Sequence, residues 1–368
     1  MRIAYILNTL QLGGAERQVL ALAERMHDRG HLVKLIILRK SAPRHLRTHL
    51  DTIHLNAGRN PARALRASVR AFAVIRDFSP QVVHSHQFHG NMLARMLKLA
   101  MPSIPVLSTI HNVHEGGWAR MLAYRVTDPL ATRTIAVCNA AAERFIRIRA
   151  ISARKTAVIP NGIDCAAFAP DAARRVKVRK EMSAGEFFIW LAVGRITPAK
   201  DYPTLLRAFE CVHVAHPETR LWIAGEGKSA CVAGLQRLSE DLGIGSSVRW
   251  LGLHDDIPAL LDAADAFVLS SAWEGMPLAL GEAMAMEKPF VATDVGGVRE
   301  MAGDCGVLVR AGEASALSEA MSALVEANPG DRRSTGEAGR ARIVEEFNID
   351  TAVDAWESCY LDVVAARE

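Results

Sequence analysis

The chain has 368 residues, more than one hydrophobic core ordinarily serves, so two domains are expected. Half of the residues are apolar and 23% charged, with 26 Gly and 15 Pro; that balance excludes disordered and fibrous classes, and no run of 18 apolar residues marks a membrane span. The net charge of +4 hides an asymmetry: residues 1–170 hold 24 Lys and Arg against 9 Asp and Glu, whereas residues 171–368 hold 20 against 31.

The opening MRIAYILNTL carries one charge and a short apolar run with no cleavage site after it. It reads as a first strand rather than a leader peptide, and a cytoplasmic protein is expected. Strand Arg2–Leu7, helix Glu16–Arg29, the stop at Gly30 and strand Val33–Leu38 make a βαβ unit. In its first turn, Leu12-Gly13-Gly14-Ala15-Glu16 sets two glycines where backbone turns sharply or approaches a ligand. The dinucleotide fingerprint G-x-G-x-x-G is absent and the second strand ends in Arg39-Lys40 rather than an acid, which disfavours a nicotinamide-dependent oxidoreductase.

The stretch Arg59–Phe78 places Arg63, Arg66 and Arg70 on one helical face and Leu65, Val69, Phe72 and Ile75 largely on others. Arg144, Arg147, Arg149, Arg154 and Lys155 form a second basic cluster. Two readings stand: a solvated arginine face, or peripheral contact with an anionic membrane. Nucleic acid is not expected as a partner, because no stacking motif or zinc-finger spacing accompanies the charge.

Further strands are expected at Val82–Ser85, Val106–Ile110, Thr134–Val137 and Ala157–Ile159, so the first domain is an α/β parallel sheet. HSHQFH places His84 and His86 on one face at a strand end, with His89 beyond; a metal site and a hydrogen-bonded cleft histidine are the alternatives, and no metal is expected. His111, in STIHN, falls at the next strand's carboxyl end, where such sheets place ligands. After a shift in composition at 166–186, strands at Phe187–Val193, Leu221–Ala224, Val248–Leu251, Ala266–Leu269 and Phe290–Thr293 alternate with helices. Ile349–Ala366 reads as a closing helix. The expected division is 1–168, 169–348 and a C-terminal helix, 349–368, packing back toward the N-terminal domain. The six widely spaced cysteines read as reduced thiols.

In VGRITPAKDYPTLL, Arg195 and Lys200 flank a turn between a strand end and a helix start, a diphosphate-binding arrangement. In SSAWEGMPLALGEAMAM, Glu274 and Gly275 form a turn, and Pro277, with its fixed φ, is expected to open a helix. The free N–H groups of that helix would receive an anion, and Glu282 would stand roughly 7–8 Å along it. Two carboxylates so spaced could hold both ends of a sugar nucleotide, although a bland reading makes Glu282 a partly exposed helix residue.

GGAER, HSH, STIHN, VIPNGID, VGRxxxxKDYPTLL, LWIAGEG, SxxEGxPxxxxEAMA and TDVGGVRE follow one another in an order that resembles the retaining family 4 glycosyltransferases. The resemblance spans essentially the whole chain and implies a GT-B fold of two Rossmann-like α/β domains facing across a deep cleft. It implies Arg195, Lys200 and Gly14 at the donor diphosphate, and Glu282 with the Leu251–Leu253 backbone at the nucleoside. It implies Glu274 and the backbone of Gly275, Met276, Pro277 and Leu278 at the donor sugar and phosphate, and His111 as a second catalytic group. Cys138 stands where a serine is frequent and Asp201 where a glycine often follows the lysine.

The resemblance implies transfer of a sugar, with retention, from a nucleotide-sugar donor, UDP-linked by preference, to a glycan or lipid-linked acceptor in polysaccharide or glycoconjugate synthesis. No cofactor is expected, since the cations and the helix start would stabilise the leaving diphosphate. Closure of the domains, with Gly162 as a candidate hinge, would favour transfer over hydrolysis. The alternatives are a sugar-nucleotide epimerase and a catalytically silent subunit.

Overall fold

The structure, a computed structural model, describes residues 1–11, 13–39, 46–58 and 60–366; Leu12, Lys40 and Arg59, each within a stretch read above, lie outside the described residues. The chain forms two compact units, Met1–Gly162 joined by the segment from Ile349, and Ile163–Asn348.

The first unit runs β1 (Arg2–Leu7), α1 (Gly14–Asp28), β2 (Leu32–Ile37), β3 (Asp51–His54), α2 (Pro61–Phe78), β4 (Val82–His86), α3 (Gln87–Ala100), β5 (Val106–Ile110), α4 (Trp118–Thr127), β6 (Arg133–Ala136), α5 (Asn139–Arg147) and β7 (Thr156–Val158). Its seven strands pair in parallel in the order β3-β2-β1-β4-β5-β6-β7. Parallel strands are covered by helices on both faces, which is why IAYIL in β1 and VVHSH in β4 are buried throughout rather than alternating.

The second unit runs α6 (Ala172–Glu181), β8 (Phe188–Val193), α7 (Tyr202–Ala215), β9 (Thr219–Ala224), α8 (Ser229–Asp241), β10 (Val248–Gly252), α9 (Ile257–Ala263), β11 (Ala266–Leu269), α10 (Leu278–Ala285), β12 (Phe290–Thr293), α11 (Val298–Ala302), β13 (Val307–Val309), α12 (Ala314–Glu326) and α13 (Pro329–Glu346). Its parallel sheet has the order β10-β9-β8-β11-β12-β13. Both sheets are doubly wound, and strand order reverses between β1 and β4 in the first and between β8 and β11 in the second. Crevices for ligands open at such reversals, beyond the strands' carboxyl ends.

The last helix, α14 (Ile349–Ala365), belongs to the first unit. Val353, Trp356, Tyr360 and Val363 join Ile3, Tyr5, Leu22 and Leu35 in one buried cluster. Acids on this helix answer bases of the basic half: Asp354 and Glu357 each lie 2.6 Å from Arg29, Glu357 lies 2.7 Å from His31, and Asp362 lies 3.5 Å from Arg133. Gly162 is held nearby by close approach, since a Cβ there would sit 2.5 Å from the Ile349 Cα. With its amide in the orientation that satisfies both ends, Gln18 exchanges two hydrogen bonds with the Gly162 backbone, 2.8 and 3.0 Å.

Helix α2 departs from the expected packing. Its core face is Ala67, Ala71 and Ile75, while Leu65 and Val69 are 67% and 62% exposed, on the same outward side as Arg66 and Arg70. A run Ala-Leu-Arg-Ala-Ser-Val-Arg can bury either its alanines or its larger apolar residues, and close packing on the sheet takes the alanines. The six cysteines are free thiols. Among the described residues no helix is long and apolar enough to cross a membrane.

Candidate active site

In the second unit the strand ends around the reversal are brought together by glycines. A Cβ on Gly225, after β9, would lie 1.9 Å from the Gly194 carbonyl oxygen after β8, and one on Gly296, after β12, would lie 2.2 Å from the Glu274 carbonyl oxygen. Gly225 and Gly296 have φ of +156° and +56°, so each position needs glycine for conformation and for space. The Gly194 N–H donates to the Ala224 carbonyl (2.9 Å), the Gly225 N–H to Gly252 (2.7 Å) and the Gly297 N–H to Gly275 (2.7 Å).

Two of the expected groups meet in this frame. Lys200 Nζ donates to Glu274 Oε1 at 2.6 Å, and the same oxygen accepts from Ser271 Oγ at 2.6 Å. The Ser271 carbonyl in turn accepts from Thr293 Oγ1 at 2.7 Å. Glu274 is only 9% exposed; a carboxylate that deep is retained because its charge is paired and hydrogen-bonded. Arg195, by contrast, is exposed and makes no hydrogen bond or ion pair among the described residues. The two cations read as a diphosphate pair are thus in different states, one held by Glu274 and one open. Asp201, just past Lys200, adopts the left-handed conformation (φ 43°, ψ 51°). That is the physical reason a glycine suits the position; here Thr204 Oγ1 donates to the aspartate at 2.7 Å.

The glutamate turn leads into α10 one position later than expected. Pro277 is its N-cap, with extended φ and ψ of −77° and 107°, and Leu278 is the first helical residue. Gly275, Met276 and Pro277 are buried and Leu278 is half-buried. Glu282 is buried at 4% exposure, against the bland reading of a partly exposed helix residue. At the other edge, the register between β10 and β9 jumps from Trp250 to Gly252. Leu251 is therefore a bulged residue with no partner in the ladder, and Leu253 follows just past the strand.

In the first unit, Gly13 is the extended N-cap of α1 and Gly14 its first residue. His111 sits directly after β5, where its Nε2 lies 3.0 Å from His86 Nδ1 and its N–H donates to Glu115 Oε1 at 3.0 Å. His84 bridges Tyr360 (2.6 Å) and Thr109 (2.7 Å), and the Tyr360 hydroxyl lies 3.1 Å from that of Tyr5. Burial pushes His111 down to about 4 and holds His84 and His86 well below the usual histidine range, with neighbouring imidazoles adding to the effect. All three rings are neutral at physiological pH. Among the described residues, His86 Nε2 and His111 Nδ1 have no hydrogen-bond partner. Among the described residues no group of three or more His, Cys, Asp and Glu is placed to hold a metal ion.

Two family models match in tandem: "Glycosyltransferase Family 4" over residues 12–167 and "Glycosyl transferases group 1" over residues 188–327. The chain belongs to glycosyltransferase family 4. A similar relative, 26% identical over 82% of this transferase and 81% of its own length, is the Escherichia coli "UDP-Gal:alpha-D-GlcNAc-diphosphoundecaprenol alpha-1,3-galactosyltransferase". The glycogen synthase of Mycobacterium tuberculosis is 29% identical over 78% of this chain and 70% of its own. Among solved structures, Anabaena HepE in complex with UDP-glucose aligns with a TM-score of 0.86 at 20% identity, covering both chains in full, so the transferase has the GT-B fold of two Rossmann-like domains. Sequence reasoning passed over Ser271, which appeared only as a letter of the motif, and Thr293. Nothing but the three-residue spacing to Glu274 pointed to Ser271.

Proposed function

We propose that this glycosyltransferase moves a sugar, with retention of configuration, from a UDP-linked donor held by the second unit to a hydroxyl of a glycan or lipid-linked acceptor bound by the first. The observation that carries the reading is the Lys200–Glu274 pair beside open Arg195 at the β8/β11 reversal. It sets two cations and a carboxylate where one ligand presents both a diphosphate and sugar hydroxyls. The UDP-Gal in the name of the Escherichia coli relative and the UDP-glucose bound by HepE support the choice of nucleotide. On donor binding, Lys200 shares its ammonium between Glu274 and the diphosphate while Arg195 closes on the phosphate oxygens. With the N–H groups at Leu278, they stabilise the negative charge that develops on the leaving group. Glu274 orients the sugar rather than attacking it, and Ser271 anchors the same oxygen, Oε1, that meets Lys200. Glu282 takes the ribose hydroxyls, the bulged Leu251 and Leu253 meet the base, Gly14 borders the phosphates and His111 is a catalytic group.

Retention follows a front-face route in which a diphosphate oxygen receives the acceptor proton. These residues supply the positive charge themselves, so turnover should persist in excess EDTA. The outward face of α2, where Leu65 and Val69 stand among Arg63, Arg66 and Arg70, suits peripheral contact with an anionic membrane presenting a lipid-linked acceptor.

The deciding experiment is calorimetric titration with UDP, GDP and ADP, alongside the Lys200→Ala variant. UDP should bind and the variant should lose it; if no nucleotide binds, the reading fails. Vesicle binding at low salt that is unchanged in Arg63→Glu/Arg66→Glu would remove the membrane contact alone.

A further inference from the structure

The first unit has a polar pair at its own strand-order reversal. Glu16 lies in the first turn of α1, just beyond β1, and Gln87 directly follows β4. These two strands are neighbours at the point where the order of the sheet reverses. Gln87 Nε2 donates to Glu16 Oε1 at 3.0 Å, and Thr9 Oγ1 lies 3.5 Å from the same oxygen. Glu16 is 8% exposed, yet Oε2 makes no hydrogen bond among the described residues and is not a fully enclosed atom. With Oε1 engaged by Gln87, Oε2 is left open to accept from an incoming donor. Gln87 itself stands at φ +62°, a conformation glutamine rarely adopts. The chain therefore accepts backbone strain to place that side chain on Glu16.

The second unit repeats the geometry with different chemistry. There the pair across the reversal is Lys200, after β8, and Glu274, after β11, a cation and a carboxylate suited to a phosphorylated ligand. Across the first reversal the pair is a carboxylate and an amide, groups suited to a ligand rich in hydroxyls.

We propose that Glu16 and Gln87 form the subsite for hydroxyls of the acceptor sugar: Glu16 Oε2 accepts from one hydroxyl, and the Gln87 carbonyl oxygen or its second N–H meets an adjacent one. The proposal rests on the glycosyl-transfer reading and names the acceptor side of it.

The test compares wild type, Glu16→Gln and Gln87→Gly with UDP-galactose or UDP-glucose as donor. The acceptors are GlcNAc-diphosphoundecaprenol and the methyl glycosides of glucose, galactose and N-acetylglucosamine. Both variants should raise the acceptor KM about tenfold or more, as expected for loss of a charge-assisted hydrogen bond, with the UDP Kd within about twofold of wild type. Gln87→Gly relieves the strained φ while removing the hydrogen bond to Glu16, so the two effects offset and its Tm should stay within a few degrees of wild type. A merely structural glutamine would not give a protein that is as stable and yet poorer at binding acceptor. An acceptor KM unchanged in both variants overturns the subsite. So does a wild type that binds UDP but transfers to no member of the panel. Failure of UDP to bind wild type sinks the glycosyl-transfer reading itself, and the subsite with it.

Discussion

Gly296→Ala isolates how tightly the strand ends position Glu274. The added Cβ would lie 2.2 Å from the Glu274 carbonyl oxygen, 2.8 Å from its carbon and 3.0 Å from the Gly275 oxygen. Ordinary contact begins near 3.4 Å, so the Glu274–Gly275 backbone must retreat by roughly 1 Å. A displacement of that size at a positioning group can cost about 10²-fold in turnover. The φ of +56° adds roughly 1–2 kcal/mol of strain for a residue with a Cβ. Gly312→Ala is the internal control, since it has φ +79° and nothing within 4 Å of the new Cβ. It should show the strain without the displacement. In urea unfolding Gly312→Ala should lose about 1–2 kcal/mol, or a few degrees in Tm for a unit of this size, and Gly296→Ala should lose more because the clash adds to the strain. Only Gly296→Ala should also lose UDP-sugar turnover. Equal turnover in the two variants would refute the argument that this glycine sets the position of Glu274.

Other outcomes follow from the first unit. His84, His86 and His111 are held below their unfolded value, so the unfolded chain takes up protons that the folded one refuses. Stability should therefore be full above about pH 6.5 and fall as pH drops toward 4, by up to about 1.4 kcal/mol per pH unit for each ring, read from denaturant midpoints at pH 7, 6 and 5. Tyr360→Phe strips the hydroxyl shared by Tyr5 and His84 and should cost about 1–3 kcal/mol in the same assay.

The parts of this molecule that the sequence reveals are those in which charge and chain geometry coincide. Arg195, Lys200 and Glu274 stand out because strand ends, turns and helix starts announce themselves through glycine, proline and apolar runs, and a charge there has few bland explanations. Positions that depend on which face packs are hidden. Leu65 and Val69 look like core in a one-dimensional pattern, and only the approach of Ala67 and Ala71 to the sheet turns them outward. Short edge strands such as β3, with DTIH, and β13, with VLV, carry too few residues for a period to show. Ser271, Glu16 and Gln87 were opaque for another reason: their meaning lies in a partner 3 to 71 positions away, and a serine, a helix-turn glutamate and a glutamine are unremarkable until that partner is seen. Asp201 shows the reverse, a departure from the family pattern that the sequence displayed and the left-handed backbone explains.

The placement of α14 has a consequence for how the protein is made. A ribosome delivers the first seven strands long before the helix that supplies Trp356 and Tyr360 to their core. The second unit, drawn from one continuous stretch, can close while the earlier one still waits with an uncovered apolar face. Birth order and folding order are thus reversed, and a nascent chain stalled near residue 348 would expose chaperone-binding surface on its older half.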